Sequence, residues 1–413
     1  MNPILLFVLA VLIGAFLLQS WAEFLNLRSL SPVLPGEFAD VYDAETYQTS
    51  QEYTRARTKL DLVSSSVSLA ALIIFIAVGG FPWLDTLVRS FGLDPVLTGL
   101  IFLGLLALAS DVLSLPFQLY STFVLEERFG FNRTSPATFV KDKLKGVLLL
   151  GLIGGPCLTG VILFLGTWPV WGWVWAWAGL ILVMIGLQYV APTWILPLFN
   201  TFTPLEDGEL KDKILRYAEQ NGAAVQDISV MDGSRRSAKS NAFFTGFGRK
   251  KRIALFDTLI QKHTPDELLA VLAHEIGHWK LKHIIKGLLL GMAKMGLLLW
   301  LISVAVRFEA LFEAFGLEQV SVHAGLVFFL LLYTPVSLLI AIGMNHLSRK
   351  HEFEADAFAA RTTGQPQSLI QALKKLSRDN LSNLTPHPLL VVLEYSHPPV
   401  IDRVRTLKGM KRA

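Results

Sequence analysis

Two histidines and a glutamate set as H-E-x-x-H, His274, Glu275 and His278, have the types and spacing for metal chemistry. On a helix of about 3.6 residues per turn, side chains four apart share a face, so both imidazoles can grip one zinc ion. Glu275 is the next residue round and lies close enough to take a proton from water held at that ion. The helix that must carry them has a marked start. Thr264 suits the N-cap, Pro265 the first helical position, and Glu267 completes a capping box. The plain alternative for so short a motif is a surface helix that merely carries these three residues.

The elements around that helix are mostly apolar. Of 413 residues, 52% are hydrophobic and only 17% charged, and the mean hydropathy is +0.48, values of a multi-pass membrane protein. A hydrocarbon core of about 30 Å needs about 20 apolar helical residues. That ruler gives about seven spans, near Pro3–Phe24, Leu62–Leu84, Val96–Phe117, Val147–Trp168, Trp171–Pro192, Ile285–Val306 and Ala324–Met344. The apolar start lacks a basic flank and reads as a retained first span. Lys and Arg collect in the loop between spans three and four, in 196–283 and after His346, which puts that side in the cytoplasm. The tryptophans at 168, 171, 173, 175 and 177 read as an interfacial belt.

Composition also excludes chemistry. The net charge of +4 is modest and no basic stripe is interleaved with aromatics, so nucleic acid is not an expected partner. The single cysteine, Cys157, sits in an apolar run, which rules out an intrachain disulfide and a C-x-x-C site. There is no G-x-S-x-G elbow and no glycine-rich phosphate loop.

The segment 196–283 reads as a water-soluble α+β insert. Glu206 to Asn221 is helical, Asp227 to Asp232 alternates like a strand, and two further strands flank a Gly and Lys/Arg turn near residues 246–251. The chain then divides into spans one to five (1–195), the lobe with the H-E-x-x-H helix (196–283), spans six and seven (284–346) and a C-terminal part of the lobe (347–413).

Catalytic zinc usually has three protein ligands, and H-E-x-x-H supplies two. Glu352, in Arg349-Lys-His-Glu-Phe-Glu-Ala-Asp356, is the candidate third. Two spans separate it from His278, and an even number of crossings returns the chain to the same side of the membrane. On a helix Asp356 shares a face with Glu352 and can hold the N–H of a zinc-bound histidine. Glu354 points about 200° away, toward solvent or a basic neighbour. Taken without the histidines, Glu352 and Asp356 read equally as a solvated charged face. Asp111 and Lys294, near the middles of spans three and six, either line a wet cavity or serve packing.

Several stretches together resemble one family. They are His274-Glu-Ile-Gly-His278, Glu352-x-x-x-Asp356, Ser240-Asn-Ala-Phe-Phe-x-Gly246, Tyr395-Ser-His-Pro-Pro-x-x-x-Arg403, Glu126-Glu-Arg-Phe-Gly-Phe-Asn132, Leu198-Phe-Asn-x-Phe-x-Pro204 and Lys251 to Leu259. The set is similar to the type I CAAX prenyl endopeptidases, integral-membrane zinc metalloproteases, and covers nearly the whole chain in order. The resemblance implies a multi-pass α-helical membrane protein, about seven helices enclosing a chamber, with an α+β thermolysin-like zinc lobe on the cytoplasmic side. It implies one Zn2+ per chain on His274, His278 and Glu352, with Asp356 as an acid beside the ligands. It also implies a strand through Asn241, Ala242 and Phe243 that holds the substrate backbone, and His397 and Arg403 near the scissile carbonyl. The compact chain, in which neither longer lumenal insertions nor a retrieval signal is visible, suggests a prokaryotic member, where prenylated CAAX substrates are not expected; the membrane is then a bacterial inner membrane, or the endoplasmic reticulum for a eukaryotic chain.

The expected reaction is peptide hydrolysis, with Glu275 moving the proton and His397 or Arg403 stabilising the tetrahedral intermediate. Expected partners are peptide or protein substrates, lipid-modified ones included, and the bilayer. On the residues alone, His397 could merely close a turn beside its prolines and Asn241 could be a turn residue. His387 reads as structural. The competing functions are a broad membrane quality-control protease and, in another class, a transporter or zinc-binding scaffold.

Overall fold

The computed structural model of the chain describes residues 2–223, 225–245 and 251–410. Its helices and strands follow the hydropathy pattern. The N-terminal part contains α1 (Pro3–Ser29), α2 (Ala44–Ala77), α3 (Gly80–Arg89), α4 (Pro95–Arg128), α5 (Pro136–Thr167) and α6 (Gly172–Phe199). The lobe follows with β1 (Phe202–Pro204), α7 (Glu209–Gln220), β2 (Val225–Met231), β3 (Ala242–Thr245), β4 (Lys251–Phe256), α8 (Asp257–Lys262) and α9 (Pro265–Lys280). The chain re-enters the bundle as α10 (His283–Ala305), α11 (Glu309–Ala314), α12 (Val322–Leu332) and α13 (Thr334–Thr363). It ends on the lobe with α14 (Pro366–Asp379), α15 (Pro388–Glu394) and α16 (Val400–Gly409).

Among the described residues six helices are long and apolar enough to cross a membrane, or seven when α12 and α13 count as one span bent by 60°. Pro335 explains the bend, since it removes a backbone donor and clashes with the turn before it. Span two differs from expectation. Its helix stops at Ala77 rather than Leu84, because Gly79 takes a left-handed φ of 72°. Gly80 then packs so tightly that a Cβ there would lie 2.4 Å from the Phe75 ring. The residues to Leu84 instead open α3, which buries Phe81, Leu84 and Val88 against Phe312, Phe315 and Phe328.

The tryptophan belt is only partly interfacial. Trp168, Trp171 and Trp175 are exposed, but Trp177 packs inward and donates its indole N–H to the Met292 carbonyl at 2.8 Å. Asp111 pairs with Lys143 of α5, which also reaches Gln118 at 3.0 Å, so an intrahelical charge is neutralised across two helices. Lys294 is exposed.

The lobe carries a four-stranded mixed sheet in the order β1-β2-β4-β3. β2 and β4 are parallel, the other pairs antiparallel, and β3 lies at an edge. The turn between β3 and β4 lies outside the described residues. Ile228, Ile253 and Leu255 of the sheet bury against Ile214 of α7 and Leu268 and Leu272 of α9. On its other side α9 packs on α13, α14 and α16 through Ala273, Ile276, Ala359, Leu373 and Val404. Charged contacts tie the lobe to the bundle: Lys239 to Glu126 at 2.9 Å and Arg236 to Asp142 at 2.7 Å.

Candidate active site

Helix α9 starts as its sequence demands. The Thr264 hydroxyl accepts from the Glu267 amide at 3.3 Å and the Glu267 carboxylate accepts from the Thr264 amide at 3.0 Å. That fixed start sets the rotation of the helix, and hence where His274 and His278 point. Helix α13 crosses beside it at very short range. A Cβ at Gly277 would lie 3.1 Å from the Phe358 ring and 3.3 Å from the Ala355 backbone. The glycine between the two histidines is therefore what lets the carboxylate-bearing helix approach.

The three expected donors meet. His274 Nε2 and His278 Nε2 are 3.0 Å apart, His274 Nε2 is 3.4 Å from Glu352 Oε2, and His278 Nε2 is 3.2 Å from Glu352 Oε1. Ligands about 2.0–2.2 Å from a common tetrahedral ion stand at about this separation from one another. Glu352 is buried, and its Oε2, 3.4 Å from His274 Nε2 and 3.3 Å from an Arg403 nitrogen, makes no hydrogen bond among the described residues. Two imidazoles, a carboxylate and this spacing fit a zinc ion.

The support around the donors is dense. Asp356, fully buried, stands 2.9 Å from His274 Nδ1. Arg403 of α16 donates twice to Asp356, at 2.8 and 2.6 Å, and its third nitrogen lies 3.3 Å from Glu352. Burial disfavours charge on both His274 and Arg403, but the neighbouring carboxylates outweigh it. They hold His274 up at about 9 and raise Arg403 above its ordinary value. The neighbouring carboxylates thus favour positive charge at His274. Arg403→Met should cost about 3–5 kcal/mol of stability by leaving Asp356 buried without its counter-charge. A lowered Tm of the detergent-purified variant checks this, and an unchanged Tm contradicts it.

His397 has a different setting. Its side chain is 66% exposed, Nε2 is 3.4 Å from Glu352 Oε1, and the Ser396 hydroxyl lies 3.0 Å from Nδ1. Glu275 is half-buried and, with His278, His283 and His351, lines a cavity of about 350 Å³ that runs along α10 and α13. Asn241 precedes edge strand β3 and is exposed; its side chain accepts from the Ala242 amide at 2.9 Å. Phe243 lies in β3, but its side chain is outside the described residues. His387 caps α15, accepting from the Leu389 amide at 3.2 Å.

One group was missed in the sequence. His283, buried at the start of α10, places Nδ1 3.1 Å from His278 Nδ1 and Nε2 3.0 Å from Glu354 Oε2. Glu354 thus has basic neighbours, His283 at 3.0 Å and Lys350 at 3.9 Å, in line with the expectation of solvent or a basic neighbour. The available signal was a third histidine five residues after His278. What brings it back is Lys282, whose left-handed φ of 60° turns the chain sharply between α9 and α10.

An H-E-x-x-H helix and a carboxylate helix meeting at the end of a multi-pass apolar bundle define an integral-membrane peptidase. Residues 204–411 match peptidase family M48, and residues 23–201 match a family described as the CAAX prenyl protease N-terminal region with five membrane helices. The chain belongs to peptidase family M48. It is 35% identical to CAAX prenyl protease 1 of Saccharomyces cerevisiae over 96% of this chain and 93% of the yeast protein. It is 34% identical to the Arabidopsis thaliana homologue, covering 98% of both chains, and 31% identical to that of Homo sapiens, covering 97% and 96%. The crystal structure of S. mikatae Ste24p superposes with a TM-score of 0.93 at 35% identity, over 98% of this chain and 99% of that one. The protein is thus a multi-pass membrane protease with a chamber-forming helical bundle and a small mixed-sheet lobe.

Proposed function

We propose that the chain is a zinc metalloendopeptidase that cuts peptide bonds near the membrane surface, on CAAX-type substrates such as the names of its relatives describe. The observation that carries this reading is the convergence of His274, His278 and Glu352 within 3.4 Å beside Glu275. Zinc bound there would polarise the scissile carbonyl and lower the pKa of its water to about 7.

The chain's own residues do the rest. Glu275 takes the water proton and passes it to the departing amine. The substrate lies extended along the free edge of β3, through Asn241, Ala242 and Phe243, where backbone pairing sets register with loose side-chain preference. His397, exposed beside Glu352, donates to the developing oxyanion. Arg403 and Asp356 are positioning residues. Both are buried and bonded to each other, so Asp356 orients His274 and Arg403 balances the charge, rather than reaching substrate. The lobe, with its C-terminal part from 347 onward, faces the cytoplasm by the distribution of Lys and Arg.

His283 does for His278 what Asp356 does for His274. If His278 Nε2 held the ion, its Nδ1–H would donate to His283, 3.1 Å away, and His283 would donate to Glu354 at 3.0 Å. His283→Phe removes the acceptor and should weaken zinc binding about 10–100-fold, measured by chelator competition. Unchanged affinity would remove this role.

The direct test is cleavage of a farnesylated CAAX peptide by purified protein. Activity lost on chelation and restored by zinc supports the proposal. Chelator-insensitive cleavage, or none of any peptide after zinc addition, contradicts it.

A further inference from the structure

A groove of about 850 Å³ lies away from the catalytic helix, between α2 and the end of α4. Its position is fixed by α2. Thr58 bonds Glu23 of α1, and Arg57 pairs with Asp61 at 3.8 Å on a neighbouring face. Arg55, Lys59 and Val63 lie about 120–160° round the helix from that Arg57–Asp61 pair, by the 100° step of a helix. The α4 wall of the groove carries Pro116 and a π-helical turn at Ser121–Leu125, and Leu125 packs beside Tyr53, Ala56 and Leu60 of α2 at its floor.

The groove is polar at one end and apolar at the other. Arg55, Lys59 and Arg128 meet at its mouth, and none has an acidic partner among the described residues. Glu52 also lines the mouth, its carboxylate accepting from Gln48 at 2.9 Å. Leu60, Val63, Phe117 and Val124 line the deeper end. The mouth is on the lobe's side, because Tyr53 and Glu126, next to it in the chain, bond Lys239 of the lobe. The basic mouth sits where the apolar run of α2 begins, the depth at which headgroups meet acyl chains.

We propose that this groove binds one anionic phospholipid of the surrounding bilayer, its phosphate held by Arg55, Lys59 and Arg128 and its upper acyl chain lying along Val63 and Phe117. Unpaired cations over an apolar slot between membrane helices are complementary to that amphiphile. They are not complementary to a neutral lipid, which would leave the excess of three cations over the single Glu52 carboxylate unanswered.

Native mass spectrometry of the full chain released from mixed phosphatidylcholine–phosphatidylglycerol micelles tests this. The wild type should retain one phosphatidylglycerol in preference. Arg55→Gln with Lys59→Gln and Arg128→Gln should weaken that retention on the order of a hundredfold. Val63→Trp, which fills the slot without changing charge, should weaken it as well. Neutralising Lys211, Arg216 and Lys408 on the lobe should not. Peptide cleavage in detergent by each variant confirms that it is folded. Equal retention of both lipids, loss on the lobe substitutions, or displacement by soluble glycerol phosphate alone would overturn the assignment.

Discussion

Glu275→Gln is expected to lower kcat by about 10²–10⁴-fold, the range a positioned general base contributes, with zinc content unchanged. The side chain keeps its shape and a hydrogen-bonding amide but can no longer accept the water proton. Glu275 is half-buried on the wall of the cavity beside His278 and is not among the three converging donors. Zinc analysis of the same preparation therefore separates the proton-transfer role from a ligand role. A Gln variant with wild-type kcat would remove Glu275 from the reaction, and one that loses its zinc would make it a ligand instead.

Glu352→Ala should abolish both zinc retention and turnover. It takes away the third donor, and it also removes the carboxylate that Arg403 approaches at 3.3 Å. Two imidazoles remain, and a pair of neutral donors holds zinc far more weakly than the three-ligand set of catalytic sites. Dialysis followed by metal analysis reads the first effect and peptide cleavage the second. Because Asp356 and Arg403 still pair with each other, the variant should stay folded. A variant that keeps its zinc would show that the ligand lies elsewhere.

What could be read in the chain was what is local or follows from parity. The capping box is written within four residues, and Thr264 and Glu267 form it. The meeting of Glu352 with the histidines could be anticipated because two crossings return the chain to one side. Less legible were features set by packing between distant segments. Hydropathy runs smoothly across Val78-Gly79-Gly80, so the end of the second span at Ala77 depends on a backbone conformation that a window of apolarity does not sense. Trp177 belongs to a tryptophan-rich stretch, yet its indole answers a carbonyl 115 residues away. His283 reaches Glu354 across 71 residues, and its place five residues after His278 hints at a role beside the site without naming that partner.

At the site itself, the family resemblance puts Arg403 near the scissile carbonyl, and the fold adds that two of its nitrogens are bonded to Asp356. A buried, bidentate arginine holds another group in place.

Anomalous scattering at the zinc absorption edge from crystals of the full chain is the most direct measurement of the central claim. One peak is predicted per chain, within about 2.0–2.2 Å of His274 Nε2, His278 Nε2 and a Glu352 oxygen. No peak there in zinc-supplemented crystals, or a peak from which the Glu352 carboxylate stands apart, would contradict it.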